Sequence, residues 1–424
     1  MHDDQNSMHD DQNMYHNRNP MLDFSWALRM AAGANPSSMP TILAKTASDG
    51  GASDVDVYLV DFGQTTLEVM PDLSREGPTP PAEAVATTMA GRSFTDQRVL
   101  VADRGDCYRV WIPIVEGSAN TGVIALTVST IDDAGLEAWA ELGILAGYLI
   151  AVHTRCTDVY SRYRRRHSMS LAASMQWDLL PPLVLHATGL TVAGLLEPAY
   201  DIGGDCFDYS LNGDFLDLAI FDAVGRGLAA ARIASLTLSS YRHGRREQLP
   251  LSVIHENLGA SIKEGCEPFS FATGVIGQID LRSGVFLWTN AGHPPPLLIR
   301  AGRVIAELQC PPTPPWGIAG HTSIAPTAAV QQLEPDDYLL LYTDGIVDAR
   351  TRSGEFFGVE RLVDFMNRYS AESLRPEAML RQLVEGVRHH QGIDDLRDDA
   401  TAMLVRWEGA RQVSAVRSTP TMTT

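Results

Sequence analysis

The spacing of apolar residues along the chain changes near residue 152 and again near residue 183. Before the first change, short runs that alternate apolar and polar residues are separated by segments with an apolar residue every three to four positions. This pattern predicts helices at 24–32, 39–48 and 82–91 and strands at 56–61, 66–70, 108–114 and 122–128. Residues 21–152 are therefore predicted to form an α+β domain.

Residues 132–180 are predicted to be mostly helical, and their first part is apolar on nearly every side, around Trp139 and Leu142. Such a helix packs on its own domain or on a second copy of the chain, and the pattern leaves both open. A basic patch at 162–167 is interpreted as a solvated helix face, and Pro181 with Pro182 ends the helical pattern. Residues 153–182 are thus predicted to be a helical linker.

From Leu183 onward, strand and helix patterns alternate, with hairpin turns between several of the strands. The predicted strands are at 190–196, 215–221, 271–279, 284–289, 297–300, 338–342 and 401–407, and the helices at 228–243, 251–263, 358–370 and 376–390. Consecutive hairpins favour antiparallel sheets, and amphipathic helices bury one face against such sheets. Residues 183–408 are therefore predicted to form a second α+β domain.

The composition is that of a soluble globular protein. Of 424 residues, 45% are apolar and 20% charged, and the net charge of −19 argues against nucleic acid or an anionic membrane as a partner. Five scattered cysteines without a CxxC pair, the absence of a signal-peptide pattern and a longest apolar run of only 142–152 favour a reducing cytoplasm. We expect residues 1–20 to be disordered and 409–424 to be a flexible tail.

Carboxylates stand beside glycines at the ends of several predicted strands in the C-terminal region. Asp205 and Asp222 lie at the two ends of an apolar hairpin, and Asp344 and Asp398 lie in two further acidic turns. Carboxylates without basic partners suit hard cations, which prefer oxygen ligands. The adjacent glycines allow the backbone to turn tightly where the carboxylates converge. The sequence therefore predicts a metal site.

Five motifs in this order carry a resemblance to a known family: Gly203-Gly-Asp-Cys-Phe-Asp208, Asp222-Ala-Val-Gly-Arg-Gly-Leu-Ala-Ala230, Asn290-Ala-Gly-His-Pro-Pro295, Tyr342-Thr-Asp-Gly345 and Asp398-Asp-Ala-Thr401. Through them, residues 175–408 resemble the SpoIIE/RsbU-type branch of the PPM (metal-dependent) serine/threonine protein phosphatases. The paired runs Val110-Trp-Ile-Pro-Ile114 and Gly122-Val-Ile-Ala-Leu126 make residues 21–152 resemble a GAF-type sensory domain. A generic α+β domain without a ligand is the alternative for that region.

The phosphatase resemblance implies an αββα sandwich of two antiparallel sheets with a two-metal site at one end. By position, Asp222 would bridge two Mn²⁺ or Mg²⁺ ions, and the backbone carbonyl of Ala223 would help to hold one of them. Asp205 would bind directly or through water, and Asp344 and Asp398 would complete the shell of the second ion. Asp222 and Asp205 are thus the implied catalytic residues, supporting attack of a metal-activated water on phosphorus.

The implied reaction is hydrolysis of phosphoserine or phosphothreonine on a protein. In this branch the usual substrate is a phosphorylated anti-sigma-factor antagonist of the STAS type, so that dephosphorylation frees a sigma factor. A small-molecule ligand of the N-terminal domain and a homodimer are further partners that the sequence leaves open.

Several residues near the motifs have two interpretations. Asp201 and Asp208 are read as structural or outer acids, and Asp399 as a neighbour of the ligand Asp398. His293 is either a general acid or a residue that orders its loop. Arg226 occupies a position where many relatives have histidine, and an arginine cannot donate a proton near neutral pH, although it can contact phosphate. The alternative to an active enzyme is therefore a catalytically weak pseudophosphatase that acts as a ligand-sensing scaffold.

Overall fold

The computed structural model describes residues 22–410, apart from residues 73, 76–77, 118, 199, 202, 319–325, 373, 393–395 and 397. The predictions of disorder for 1–20 and, from 411 onward, of a flexible tail lie outside the described residues. The chain divides into two compact units, Met1–Arg166 and His167–Thr424. This division falls within residues 153–182, the segment predicted as a linker. No comparison tests the predicted domain limits of 21–152 and 183–408, so they stay predictions.

The first unit is an α+β domain with one antiparallel sheet. Its elements are α1 (Phe24–Gly33), α2 (Met39–Asp49), β1 (Ser53–Val60), β2 (Thr66–Met70), β3 (Glu83–Ala84), α3 (Met89–Asp96), β4 (Leu100–Asp103), β5 (Tyr108–Glu116), β6 (Ala119–Val128), α4 (Asp133–Thr154) and α5 (Val159–Tyr163). The six strands lie in the order β3-β2-β1-β6-β5-β4. Helices α1, α2 and α4 contribute to the core on one face, and α3 contributes to the core on the other.

The helix predicted at 82–91 is wrong in position. The structure has β3 and a turn at the start of that stretch, and α3 begins only at Met89. The reason is local: the side-chain oxygen of Thr88 accepts a hydrogen bond of 3.0 Å from the backbone N–H of Gly91, which makes Thr88 the N-cap. No comparison tests the GAF resemblance of this unit, so it stays a prediction.

Helix α4 is the one helix among the described residues that is long and apolar enough to cross a membrane by length and composition. It nevertheless lies against β5, where added Cβ atoms at Gly143 and Gly147 would come within 2.2 and 2.0 Å of the carbonyl oxygens of Pro113 and Val115. Trp139 and Leu142 of α4 are fully buried in the core of the first unit. Helix α4 is therefore a core helix of the first unit.

The second unit contains two further antiparallel sheets. Its elements are α6 (Leu171–Leu179), β7 (Val184–Ala187), β8 (Leu190–Glu197), β9 (Asp205–Asn212), β10 (Phe215–Ala223), α7 (Gly227–Arg246), α8 (Leu251–Gly265), β11 (Ala272–Asp280), β12 (Val285–Ala291), β13 (Leu297–Arg300), β14 (Arg303–Glu307), β15 (Ala329–Gln332), β16 (Asp337–Tyr342), α9 (Asp344–Val347), α10 (Gly358–Ala371), α11 (Pro376–Gln391) and β17 (Ala400–Trp407). One sheet has the order β15-β12-β11-β10-β9 and the other β14-β13-β16-β17-β8-β7.

Three apolar cores show that these sheets form the middle of a four-layer sandwich. The central core joins residues of both sheets, such as Phe207 on β9, Phe286 on β12 and Met403 on β17. A second core places α7 and α8 on the outer face of the β9–β12 sheet, and a third places α10 and α11 outside the other sheet. The predicted αββα sandwich of antiparallel sheets is confirmed.

Candidate metal centre

Asp205 and Asp222 lie directly opposite each other on the β9–β10 hairpin, at the end away from its turn. Asp205 is the first residue of β9, and Asp222 is the last residue but one of β10. Paired residues of an antiparallel ladder project to the same face of the sheet, so the register brings the two carboxylates together. Asp205 is only 2% exposed.

Glycines leave space for close backbone approaches beside these acids. A Cβ at Gly204 would lie 2.2 Å from the carbonyl oxygen of Ala223, the predicted backbone ligand. A Cβ at Gly345, the residue after Asp344, would lie 1.8 Å from the carbonyl oxygen of Asp399. No side chain fits at either distance, so these two positions require glycine for the acidic segments to meet.

Asp399 connects the last strand of the domain to the turn before β9. Its Oδ2 accepts hydrogen bonds from the backbone N–H groups of Gly203 at 2.6 Å and Gly204 at 2.8 Å. Its neighbour Asp398 faces outward, where its Oδ1 lies 3.1 Å from Nη2 of Arg226. Both partners of this ion pair are exposed, at 71% for Arg226 and 62% for Asp398.

Buried polar groups hold Asp205 in place. The hydroxyl of Thr343 donates to Oδ2 of Asp205 at 2.6 Å and accepts from the backbone N–H of Thr401 at 3.0 Å. The side-chain amide of Gln176 on α6 donates to the backbone carbonyl of Asp205 at 2.8 Å. Because Thr343 precedes Asp344, the hydrogen bond from Thr343 also ties the Asp344 turn to β9.

Burial and mutual repulsion raise the pKa values of four of these acids. The pKa of Asp205 lies well above its ordinary value. Burial contributes most to this increase, the charges of Asp222 and Asp399 add to it, and the hydrogen bond from Thr343 opposes it only in part. Burial raises the pKa of Asp222 to about 7, and the charges of Asp344, Asp399 and Asp398 add to this effect. Burial is also the largest cause of the raised pKa values of Asp344 and Asp399, and Asp398 adds to both. The acids form one electrostatically coupled cluster that a cation would relieve.

Within the described residues, no group of three or more His, Cys, Asp or Glu side chains has the arrangement of a ready-made ion site. The hydrogen bonds explain this, since Asp205 is turned to Thr343, Asp399 to the two glycines and Asp398 to Arg226. The donor set is nevertheless oxygen-only and strongly anionic, and the lack of a side chain at Gly204 lets the acidic turn approach the Ala223 carbonyl closely. These features fit hard divalent cations once the carboxylates reorient.

His293 is buried and stays neutral near pH 7. Burial lowers its pKa to about 3, and the backbone of Tyr342 opposes this only weakly. Its Nδ1 lies 2.8 Å from the hydroxyl of Thr273, and its backbone N–H donates to the side chain of Asn290 at 2.8 Å. A group with such a pKa is not a proton donor at neutral pH, so the structure favours the loop-ordering role for His293.

Asp208 belongs to a separate ion-pair cluster. Its carboxylate accepts from Arg242 at 2.7 Å and from Arg245 at 2.9 Å, both on α7. The nearby Cys206 is buried, and burial raises the pKa of its thiol well above the ordinary value, so no thiolate nucleophile forms there. Asp208 therefore holds α7 on the sheet, in agreement with its interpretation as a structural acid.

Two contributors to the cluster were missed or underweighted in the sequence. The sequence motifs present Asp399 only as a neighbour of Asp398, yet its charge acts on both Asp205 and Asp222 and its carboxylate holds Gly203 and Gly204. The sequence analysis assigns no role to Thr343. Its position directly before Asp344, at the end of a buried strand, was the available signal.

Two antiparallel sheets packed face to face, helices on both outer faces and a carboxylate cluster at the strand ends together define the PPM class of phosphatase domain. A family model described as stage II sporulation protein E (SpoIIE) matches residues 212–408. Residues 212–408 therefore carry a phosphatase domain of the SpoIIE type.

Two curated proteins resemble the chain in sequence. Protein IcfG of Synechocystis sp. is 23% identical over 289 residues, which cover 60% of this chain and 45% of IcfG. Phosphoserine phosphatase RsbU of Bacillus subtilis is 22% identical over 271 residues, which cover 62% of this chain and 77% of RsbU. The chain thus spans less than half the length of IcfG.

Solved structures resemble about half of the chain. The RsbU and RsbW domains of a Mycobacterium tuberculosis protein are 25% identical, with a TM-score of 0.45, and cover 53% of this chain and 61% of that one. The SiaA-PP2C domain of Pseudomonas aeruginosa is 18% identical, with a TM-score of 0.47, and covers 55% of this chain and 94% of that one.

Proposed function

We propose that the second unit is a metal-dependent protein phosphatase that hydrolyses phosphoserine or phosphothreonine. The observation that carries this proposal is the coupled cluster of Asp205, Asp222, Asp344, Asp398 and Asp399 at the strand ends of a SpoIIE-family domain. The relative RsbU is named a phosphoserine phosphatase, which supports the same substrate chemistry here.

Two Mn²⁺ or Mg²⁺ ions are the proposed cofactors. Asp222 would hold both ions and the backbone carbonyl of Ala223 would help to hold one of them, with Asp205, Asp344 and Asp398 as further ligands. When bound, such ions supply a water of lowered pKa and positive charge for the phosphoryl oxygens. Thr343 and Gln176 keep Asp205 in position, through hydrogen bonds of 2.6 and 2.8 Å.

Arg226 has a place in this proposal as a phosphate contact. It is 71% exposed, and its guanidinium lies at the edge of the cluster beside Asp398. An exposed ion pair contributes little to stability, so Arg226 can exchange Asp398 for a phosphate oxygen at small cost. This role does not require a proton donor at position 226.

The proposed substrate is a phosphorylated anti-sigma-factor antagonist of the STAS type, as the family resemblance suggests. One of the solved relatives carries RsbU and RsbW domains in a single protein, which supports a signalling context of this kind. Control of the phosphatase by a ligand of the first unit is part of the same proposal.

The test is hydrolysis of para-nitrophenyl phosphate and of a phosphoserine protein, with and without Mn²⁺ or Mg²⁺. Asp222→Ala and Asp344→Ala should each lower the metal-dependent rate on the order of 100-fold or more. Asp214→Asn, at an exposed acid in the turn of the same hairpin, is the matched control and should leave the rate unchanged.

Turnover that survives Asp222→Ala would overturn the two-metal proposal. Complete inactivity at every metal concentration, together with partner binding that a chelator does not weaken, would instead establish the pseudophosphatase scaffold.

A further inference from the structure

The loop between α8 and β11 carries the most exposed large apolar side chain in the described part of the chain. Phe269, in this loop, is 95% exposed. Its ring therefore keeps nearly all of its apolar surface in water, where a polar residue would cost less. Folding of the second unit alone gives no reason for a phenylalanine at this position.

The backbone at Phe269 is also unfavourable for this type of residue. The N–H of Ser270 donates to the carbonyl of Glu267 at 3.1 Å, which closes a tight turn with Pro268 in its second position and Phe269 in its third. Phe269 has a φ of +69°, in the left-handed region that glycine adopts more readily. An exposed aromatic side chain at a strained backbone position indicates a role outside the fold.

This turn lies at the edge of the candidate metal centre. Thr273 of β11 is the ladder partner of Asp222, and the N–H of Val224 donates to the carbonyl of Phe271 at 3.0 Å. Phe269 stands four positions before Thr273, so their Cα atoms are at most about 14 Å apart. Phe269 is therefore within reach of a protein chain whose phosphoserine lies at the carboxylate cluster.

Three more exposed apolar residues lie on the segments that border the cluster. Val224 and Leu228 flank the exposed Arg226 in the turn after β10. Ile318 lies two residues after a backbone bridge to the first residue of β11. We call Val224, Leu228, Phe269 and Ile318 the apolar rim.

We propose that the apolar rim docks the protein substrate by binding an apolar side chain close to the phosphoserine. This proposal rests on the proposed phosphatase function and adds a preference among its substrates. Phe269 is the anchor, since a rigid aromatic side chain buries a large area at a small cost in conformational entropy. The rim thus favours phosphoserine with an apolar residue within about four positions over phosphoserine in a polar segment.

The position of the rim identifies a phosphorylated protein as its occupant. The rim adjoins the carboxylate cluster and contains the exposed Arg226 between two of its members, so its occupant combines a phosphate with apolar surface. A second copy of the chain brings no such phosphate. An anionic membrane is disfavoured by the net charge of −19.

The first experiment compares two short peptides with a central phosphoserine. One carries leucine at about three to four positions on either side, and the other carries asparagine at the same places. With Mn²⁺, the full chain should hydrolyse the leucine peptide with a kcat/KM on the order of tenfold higher, and Phe269→Gly should remove this preference, mainly through KM.

Phe215→Ala is the matched control, because Phe215 is an exposed phenylalanine at the far end of β10 from Asp222. This variant should keep the preference for the leucine peptide. A wild-type protein that hydrolyses both peptides equally well would overturn the proposal, as would a preference that survives Phe269→Gly.

A binding measurement separates this proposal from the proposed function. Fluorescence anisotropy of the same peptides, labelled with fluorescein and measured in a chelator, requires no turnover. Tighter binding of the leucine peptide that depends on Phe269, without any metal-dependent hydrolysis, would refute the phosphatase function and support the docking surface. Hydrolysis of both peptides at equal rates would do the reverse, and neither binding nor hydrolysis would refute both.

Stability and mass exclude other roles for Phe269. Because glycine suits the left-handed backbone, Phe269→Gly should not lower the midpoint of urea unfolding. A lower midpoint would show that Phe269 supports the fold instead. A mass in light scattering that falls in Phe269→Gly would show that a second copy covers the rim, and binding to phosphatidylglycerol vesicles that is lost in this variant would show that a membrane does. Each of these three results would overturn the proposal.

Discussion

Replacing Asp222 by asparagine is expected to stabilise the metal-free protein while abolishing hydrolysis. In the fold, burial and the charges of Asp344, Asp399 and Asp398 raise the pKa of Asp222 to about 7 from its ordinary value of 3.8. The folded state thus resists ionisation of this carboxyl group. Asparagine has nearly the same shape and carries no charge, so it removes that conflict.

Proton linkage determines how this effect on stability changes with pH. A carboxyl whose folded pKa lies above its unfolded value contributes stability at low pH, and this contribution is lost as the pH rises from about 4 to about 7. A difference of roughly three pKa units at about 1.4 kcal/mol each sets an upper limit of about 4 kcal/mol at pH 8. Because neighbouring acids share the repulsion, we expect the variant to gain about 2 kcal/mol at pH 8 and little at pH 4.

The assay is urea unfolding in a chelator at pH 5 and pH 8, repeated with Mn²⁺. Asp208→Asn is the matched control, because Asp208 is a buried aspartate of the same hairpin that pairs with Arg242 and Arg245. Its replacement leaves two arginines without their acid and should cost about 3 kcal/mol. Added Mn²⁺ should raise the midpoint of the wild-type protein but not that of Asp222→Asn.

If Asp222→Asn destabilises the chelated protein at pH 8 as much as Asp208→Asn does, the carboxylate cluster is not under electrostatic strain. Electrostatic repulsion among these acids would then not be what favours a cation at the cluster.

Three further outcomes follow from the site. Arg226→Ala should raise KM for a phosphoprotein on the order of tenfold, with a smaller change in kcat. Arg226→His should add an inflection near pH 6.5 to the plot of rate against pH. Unchanged steady-state constants in both variants would exclude a phosphate contact. Gly345→Ala places a Cβ 1.8 Å from the Asp399 carbonyl, so the urea midpoint should fall by the equivalent of about 2 kcal/mol or more. His293 has a folded pKa of about 3 against an ordinary 6.5, so its contribution is present above pH 6.5 and lost as the pH falls toward 3. Relative to His293→Asn, the wild-type protein should lose up to about 2 kcal/mol between pH 7 and 5, measured by unfolding.

The sequence predicted the strands of the second unit best where buried apolar runs end in sharp turns. Strand β10 illustrates this, because the predicted strand at 215–221 ends just before the Gly-rich turn after Asp222. For β9 the sequence predicted only an apolar hairpin that begins at Asp205, without the limits of the strand. Short edge strands such as β7 and β15 were not predicted. Their residues are half exposed, and they form strands because each pairs with an adjacent strand of the sheet. The local sequence pattern does not reveal this pairing.

The partners of each acid could not be predicted, because they depend on contacts between distant segments. Asp208 and Asp205 stand three residues apart with similar surroundings in sequence, yet one faces two arginines of α7 and the other a threonine of the Asp344 turn. The same holds for Asp399, whose two glycine partners lie almost two hundred positions earlier. Side-chain type indicated a cation site, but only the fold decides which acids face it.

The bond between Asp399 and the Gly203–Gly204 turn has a consequence for protein synthesis. The first acid of the cluster leaves the ribosome long before Asp398, Asp399 and the following strand β17, which lies in the interior of its sheet between β16 and β8. Until that strand is made, the sheet lacks an inner member and the turn lacks its carboxylate. On the proposed function, a nascent or prematurely terminated chain is therefore expected to lack the complete carboxylate cluster and to be catalytically silent.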